Sequence, residues 1–167
     1  MRLIVYVIGC LLFISCSRSF KRNFNESKTL EKIIYQRTEG LLVLEKILNN
    51  TQHDDISIIC EEIKLFYEYS QPYLLELCYN RELNLTMSDY NDIHQQLELM
   101  ASDSLNHKDF LIEKLLDNLY QQKSNYLNVL DNQELISLHM YTLESYLQVM
   151  SFVDALKGVV QDNYMNQ

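Results

Sequence analysis

The sequence predicts an all-α bundle of up to five helices, folded as a single domain over residues 22–163. Three observations carry this. Only three glycines and one proline occur in 167 residues, too few for the tight turns of a many-stranded β-sandwich or barrel. Apolar residues recur at intervals of three and four within segments separated by polar connections. With 47% hydrophobic residues and 28 leucines, the chain can bury one core but not two. The same composition excludes several functions. Gly-rich phosphate loops, dinucleotide-binding turns and nucleophile elbows need clustered glycines, and the three here stand far apart. A net charge of −9, from 23 acidic against 14 basic side chains, repels phosphate backbones, so no nucleic acid is expected as a partner.

The N-terminus sets the compartment. Arg2 precedes an apolar run from Leu3 to Ile14, followed by the polar, basic stretch from Ser17 to Lys21. The run is too short to span a bilayer and suits the hydrophobic region of a secretory signal. We expect residues 1–16 to be that signal, with cleavage within 15–20 and a secreted, extracellular product; a buried first helix is the alternative. Leu12-Phe13-Ile14-Ser15-Cys16 also fits a loose bacterial lipobox. In that case Cys16 would carry a lipid and anchor the protein in the bacterial envelope; otherwise no membrane contact is expected.

The elements follow in order. Leu30, Ile34, Leu41, Leu44 and Leu48 mark the first helix, with Arg37 the only polar member of the row. Asp55, after a polar connection, is a candidate N-cap for a second helix carrying Ile56, Ile59, Ile63 and Phe66. That helix is expected to break or kink near Pro72 and resume through Leu74 and Leu77. Ser88 and Asp89 cap a third, with the stripe Tyr90, Ile93, Leu97 and Met100. A polar connection over Ala101 to Lys108 leads to a fourth, with Ile112, Leu115, Leu116, Leu119, Tyr126 and Leu130. Asp131-Asn132-Gln133-Glu134 has the form of a capping box. It opens the last helix, whose row is Leu135, Leu138, Val149, Phe152, Leu156 and Val160. Stripes of this width, with charges opposite, pack around a shared core.

Export changes how the cysteines read. Cys10 would leave with the signal, and Cys60 and Cys78 are then the natural pair in an oxidising compartment. They are eighteen residues apart, and an unbroken helix would hold them about 27 Å apart, beyond bridging distance. The disulfide therefore requires a fold-back at Pro72; two separately buried thiols are the other arrangement. Asn25, Asn49 and Asn84 each open an Asn-x-Ser/Thr sequon, an acceptor for N-glycosylation in a eukaryotic secretory route.

No catalytic set emerges, so no enzyme is expected. His53, His94, His107 and His139 have neither the Glu-x-x-His spacing of a di-iron bundle nor a zinc-ligand spacing. No metal, cofactor or small-molecule substrate is implied. Glu61-Glu62 reads as solvated helix surface. Tyr67, Tyr69, Tyr73 and Tyr79 crowd one region, which fits either a protein-binding face or core filling with a wet hydroxyl.

The C-terminal half resembles the type I interferons. Tyr90-x-x-Ile93-x-x-x-Leu97-x-Leu99-Met100, then Asp103-Ser104, is similar to that family's second main helix and the following loop. Glu113-x-Leu115-Leu116-x-Asn118-x-Tyr120-x-Gln122, ending in Val129-Leu130, resembles the fourth helix. Leu138-His139, Tyr146-Leu147, Ala155 and Val159-Val160 echo the last one. The likeness covers residues 90–160 in matching order. Leu156 stands where the family has tryptophan, and Asp154 where it has cysteine. The resemblance implies a five-helix bundle of helical-cytokine type that joins two chains of a cell-surface receptor and starts antiviral signalling. It transfers no receptor-contact residue to this sequence.

Overall fold

The computed structural model describes residues 2–50, 55–79, 91, 95 and 107–165, and side chains over 25–49, 55–79, 91, 95 and 109–161. These residues form an all-α bundle: α1 (Arg2–Asn50), α2 (Asp55–Tyr79), α3 (His107–Leu130), a short 3-10 helix (Gln133–Leu138) and α4 (His139–Met165). No strand occurs among them. The expected helix over Tyr90–Met100 lies outside the described residues except for Asn91 and Gln95, which are helical and exposed.

The four helices close a ring in which α1 and α4 each pack against both α2 and α3. Contacts along the seams fix their directions. Gln36 and Glu39 of α1 meet Asn125 and Asn118 of α3 in reversed order. Phe66 of α2 meets Phe152 of α4, and Tyr73 meets Tyr141, again antiparallel. Only residues 51–54 separate α1 from α2, so α2 returns along α1 and runs in the same direction as α3.

The core contains Leu30, Ile33, Leu44 and Ile47 of α1, Ile63, Leu74 and Leu77 of α2, Leu111, Leu115 and Leu119 of α3, and Val149, Phe152 and Leu156 of α4. Each such side chain, withdrawn from water, contributes roughly 1.5–3 kcal/mol before conformational entropy is subtracted.

Several expectations need correction. The polar stretch from Ser17 to Lys21 lies within α1, since no glycine or proline interrupts the chain between Cys10 and Glu39. Every described core residue of α1 lies at or beyond Glu26. The inward row of α1 is also rotated. Of the expected row Leu30, Arg37 and Leu44 are buried, but Ile34, Leu41 and Leu48 pack only partly against the core, and Ile33, Gly40 and Ile47 are buried instead.

Pro72 does not break α2, which is continuous from Asp55 to Tyr79. Proline removes the bond its N–H would have made to the carbonyl four residues back. Both Pro72 and Glu68 are exposed, so water can satisfy that carbonyl, while Tyr67, Ser70, Leu74 and Leu77 hold the inner face. With the helix intact, the fold-back required for a Cys60–Cys78 disulfide is absent. Both are buried thiols on one helix, about 27 Å apart along its axis.

Asp55 is the first helical residue, favourably placed against the helix dipole. At the last connection the cap lies one residue later than the capping box predicts. Asn132, not Asp131, accepts from the Glu134 N–H at 2.9 Å and starts a 3-10 turn rather than the α-helix.

Candidate functional site

Two kinds of feature stand out: a polar core that joins all four helices, and apolar rows on the outside. The core centres on Arg37, only 2% exposed. One guanidinium nitrogen, Nη1, donates to Ser70 Oγ at 2.9 Å and to the Tyr141 hydroxyl at 2.8 Å. Nη2 donates to the Tyr67 carbonyl at 2.6 Å. The cation sits over the Tyr67 ring, 4.6 Å from its centroid, and 5.8 Å from that of Phe66, an arrangement that partly replaces lost hydration. Nε is buried with no hydrogen-bond partner, and among the described residues no carboxylate pairs with Arg37.

A second layer extends to α3. Gln122 Nε2 donates to the Tyr67 hydroxyl at 2.6 Å and to Asn118 Oδ1 at 2.7 Å. Asn118 Nδ2 reaches the Gln36 carbonyl at 3.0 Å and Glu39 Oε2 at 2.7 Å. Glu39 also holds Lys114 at 3.0 Å, and Asn125 Nδ2 donates to Gln36 Oε1. Tyr126 donates to Gln122 Oε1 at 3.3 Å and meets the Tyr141 hydroxyl. Burial pushes the Tyr67 phenol up to about 12 against the lowering effects of Gln122 and Arg37, and raises Tyr126 well above the usual range. Both are therefore neutral at physiological pH. These contacts pair each helix with its neighbours at one register, which is how buried polar groups specify a packing.

The network also explains a glycine. A Cβ on Gly40 would lie 2.9 Å from Asn118 Oδ1 and 3.1 Å from the Tyr67 hydroxyl. Alanine gains up to about 1 kcal/mol of helix propensity over glycine, whereas overpacking costs about 1–3 kcal/mol. Asn118 is tied at both ends of its carboxamide and cannot yield cheaply. Gly40→Ala is therefore expected to destabilise by about 1–2 kcal/mol in urea denaturation. Gly158→Ala, with nothing within 4 Å of the added atom, should gain about 0.5–1 kcal/mol.

On the outside, Ile58, Leu65, Tyr69 and Tyr73 of α2 succeed one another at intervals of seven, four and four. Tyr69 is 80% exposed, and Tyr79 near the helix end is 86% exposed. The four tyrosines of α2 thus divide: Tyr67 fills the core, Tyr69 and Tyr79 face outward, and Tyr73 is exposed on one side while its ring packs against Tyr141. A second row, Ile136, Met140, Leu143 and Leu147, runs from the 3-10 helix along the outer face of α4, with Met140 73% exposed. The α4 row lies opposite the core-facing side of its helix, and the α2 row runs from the outer face at Ile58 and Leu65 toward the α4 seam at Tyr73.

The sequence-predicted positions are not brought together. Asn25 is half-buried at the rim of a cleft, its Nδ2 donating to Glu134 Oε2 at 3.2 Å; glycosylation at that nitrogen would replace this bond. Asn49 is exposed near the end of α1, and Asn84 lies outside the described residues. Cys16 falls within α1, its side chain outside the described set. His139 places Nε2 3.1 Å from the Asn132 carbonyl, while the side chains of the other three histidines are not described. Among the described residues, no group of three His, Cys, Asp or Glu could hold a metal ion, and no helix is long and apolar enough to cross a membrane. Compared with family models, curated proteins and solved structures, the chain matches none.

Proposed function

We propose that the protein is a secreted helical ligand, resembling type I interferons, that binds a two-chain cell-surface receptor and triggers antiviral or immune signalling. The observation that carries this reading is the pair of outward apolar rows on α2 and α4. They give a rigid bundle two separate faces for two receptor chains. Exposed tyrosine, leucine and methionine are suitable anchors, because such residues supply most of the binding energy when a partner excludes water around them. Glu62, Glu68 and Glu76 lie on the exposed surface of α2 with its row, so the receptor surface that meets it is apolar with basic neighbours. The mechanism is binding alone, without cofactor or turnover.

The test applies the purified protein to receptor-bearing cells of the source and related species and follows phosphorylation of the downstream transcription factors. A dose-dependent response is expected. Leu65→Ala/Tyr69→Ala and Met140→Ala/Leu147→Ala should each lower potency about tenfold or more, the cost of losing one or two anchors, with the helical signal unchanged. Silence in all cells rejects the reading. Incorporation of a palmitate analogue, lost in Cys16→Ser, would instead establish an envelope lipoprotein whose bundle binds another envelope protein.

A further inference from the structure

A cleft of about 410 Å³ opens between α1, α3 and the 3-10 helix. Its walls have an unusual charge for this chain. Lys28 and Lys32 line it, one turn apart on α1, and among the described residues no Asp or Glu contributes to the lining. Among the described residues neither lysine pairs with a carboxylate. Like charges at this spacing repel, and in a protein of net charge −9 acidic partners are plentiful. The one carboxylate bound at the rim, Glu134, is held by Asn25 Nδ2.

The remaining polar groups are mixed, because Asn25 and Asn125 spend their amide nitrogens on Glu134 and Gln36. Asn132 Oδ1 already accepts the Glu134 N–H at 2.9 Å, which leaves its amide nitrogen for the cleft. Asn128 adds an exposed carboxamide. Thr29 spends its proton on the Asn25 carbonyl at 2.8 Å. Ile33, Val129 and Leu135 provide an apolar floor. Two cations, carboxamide donors and an apolar base within a few hundred Å³ are the makings of a site for a small organic anion.

We infer that this cleft binds a small organic anion through Lys28 and Lys32, with its carboxylate, sulfate or phosphate between the two ammonium groups and its body on the Ile33, Val129 and Leu135 floor. The inference is independent of the receptor reading.

The test titrates the full-length protein with inorganic sulfate, inorganic phosphate, benzoate, phenyl sulfate and phenyl phosphate, and with neutral benzamide as control. Amide chemical shifts and calorimetry provide the readouts. Saturable one-to-one binding of at least one phenyl-bearing anion is expected, with shifts concentrated on residues 25–33 and 125–135. The phenyl anion that binds should do so more tightly than its inorganic counterpart, and benzamide should not bind. Lys28→Gln/Lys32→Gln, at two exposed positions, should weaken binding about tenfold or more while leaving the melting temperature unchanged or higher. Absence of saturable binding by every anion at millimolar concentration overturns the inference. So does undiminished binding by the double variant, or shifts that map elsewhere. Preference among carboxylate, sulfate and phosphate identifies which anionic group the cleft takes.

Discussion

Arg37→Ala is expected to destabilise the protein by about 3–4 kcal/mol. Two large effects oppose each other at this residue. Burying a guanidinium without a carboxylate costs several kcal/mol, and the orphaned Nε adds to that cost. Against it stand three hydrogen bonds from a charged donor, each worth about 1.5–3 kcal/mol, and the Tyr67 ring beneath the cation. Alanine relieves the desolvation penalty, but leaves a cavity at the centre of the bundle and deprives the Tyr141 hydroxyl of its donor. Methionine separates volume from hydrogen bonding. It refills the space, while Ser70 keeps its bond to the Phe66 carbonyl at 2.7 Å. Arg37→Met should therefore cost only about 1 kcal/mol. Lysine keeps the charge, but its single ammonium cannot span Ser70, Tyr141 and the Tyr67 carbonyl, so its cost falls between the two. Urea denaturation orders the series. A loss below about 1 kcal/mol for Arg37→Ala would mean that the guanidinium contributes little net stability.

The same residue marks the limit of sequence reading. Apolar periodicity located the helices, because leucines at three- and four-residue spacing have few other uses in a chain this poor in turn formers. It placed the inward face of α1 slightly off, because the true face also passes through Gly40, which does not score as apolar, and takes Ile33 and Ile47 in place of Ile34 and Leu48. Arg37 was visible as a polar interruption of a stripe, a usable signal for a buried charge. Asn118, Gln122 and Asn125 gave no comparable signal. On an amphipathic helix, carboxamides read as solvent-facing, and only the arrival of Tyr67 and Gln36 from other helices makes them core. Pro72 misled for a related reason. Its propensity cost is local, whereas the packing that overrides it comes from Leu74 and Leu77 against the rest of the bundle. The exposed rows were partly legible: tyrosine crowding on α2 was evident, but which tyrosines faced outward depended on helix phase.

Alkaline solution should dismantle the bundle from its tyrosines. The folded-state pKa of Tyr67 is raised from 10.0 to about 12, first by burial, with Gln122 and Arg37 pulling it down. A group whose folded pKa lies above its unfolded value holds its proton more tightly in the native state. Its contribution is therefore complete below about pH 10 and is lost as pH rises through about 12. The slope approaches about 1.4 kcal/mol per pH unit for each such group, so Tyr67 alone would remove nearly 3 kcal/mol once fully titrated. Tyr126 shifts in the same direction, chiefly by burial, with the nearby Tyr141 and Tyr67 adding to it. Stability should be flat from pH 7 to 9.5 and then fall steeply, with phenolate absorbance near 295 nm appearing together with loss of helical circular dichroism. Tyr67→Phe forfeits the bond from Gln122, costing about 1 kcal/mol at neutral pH, but it also removes one proton from the alkaline transition and makes the slope shallower. If the full phenolate signal developed before any helix was lost, the buried hydroxyls would not be coupled to the fold.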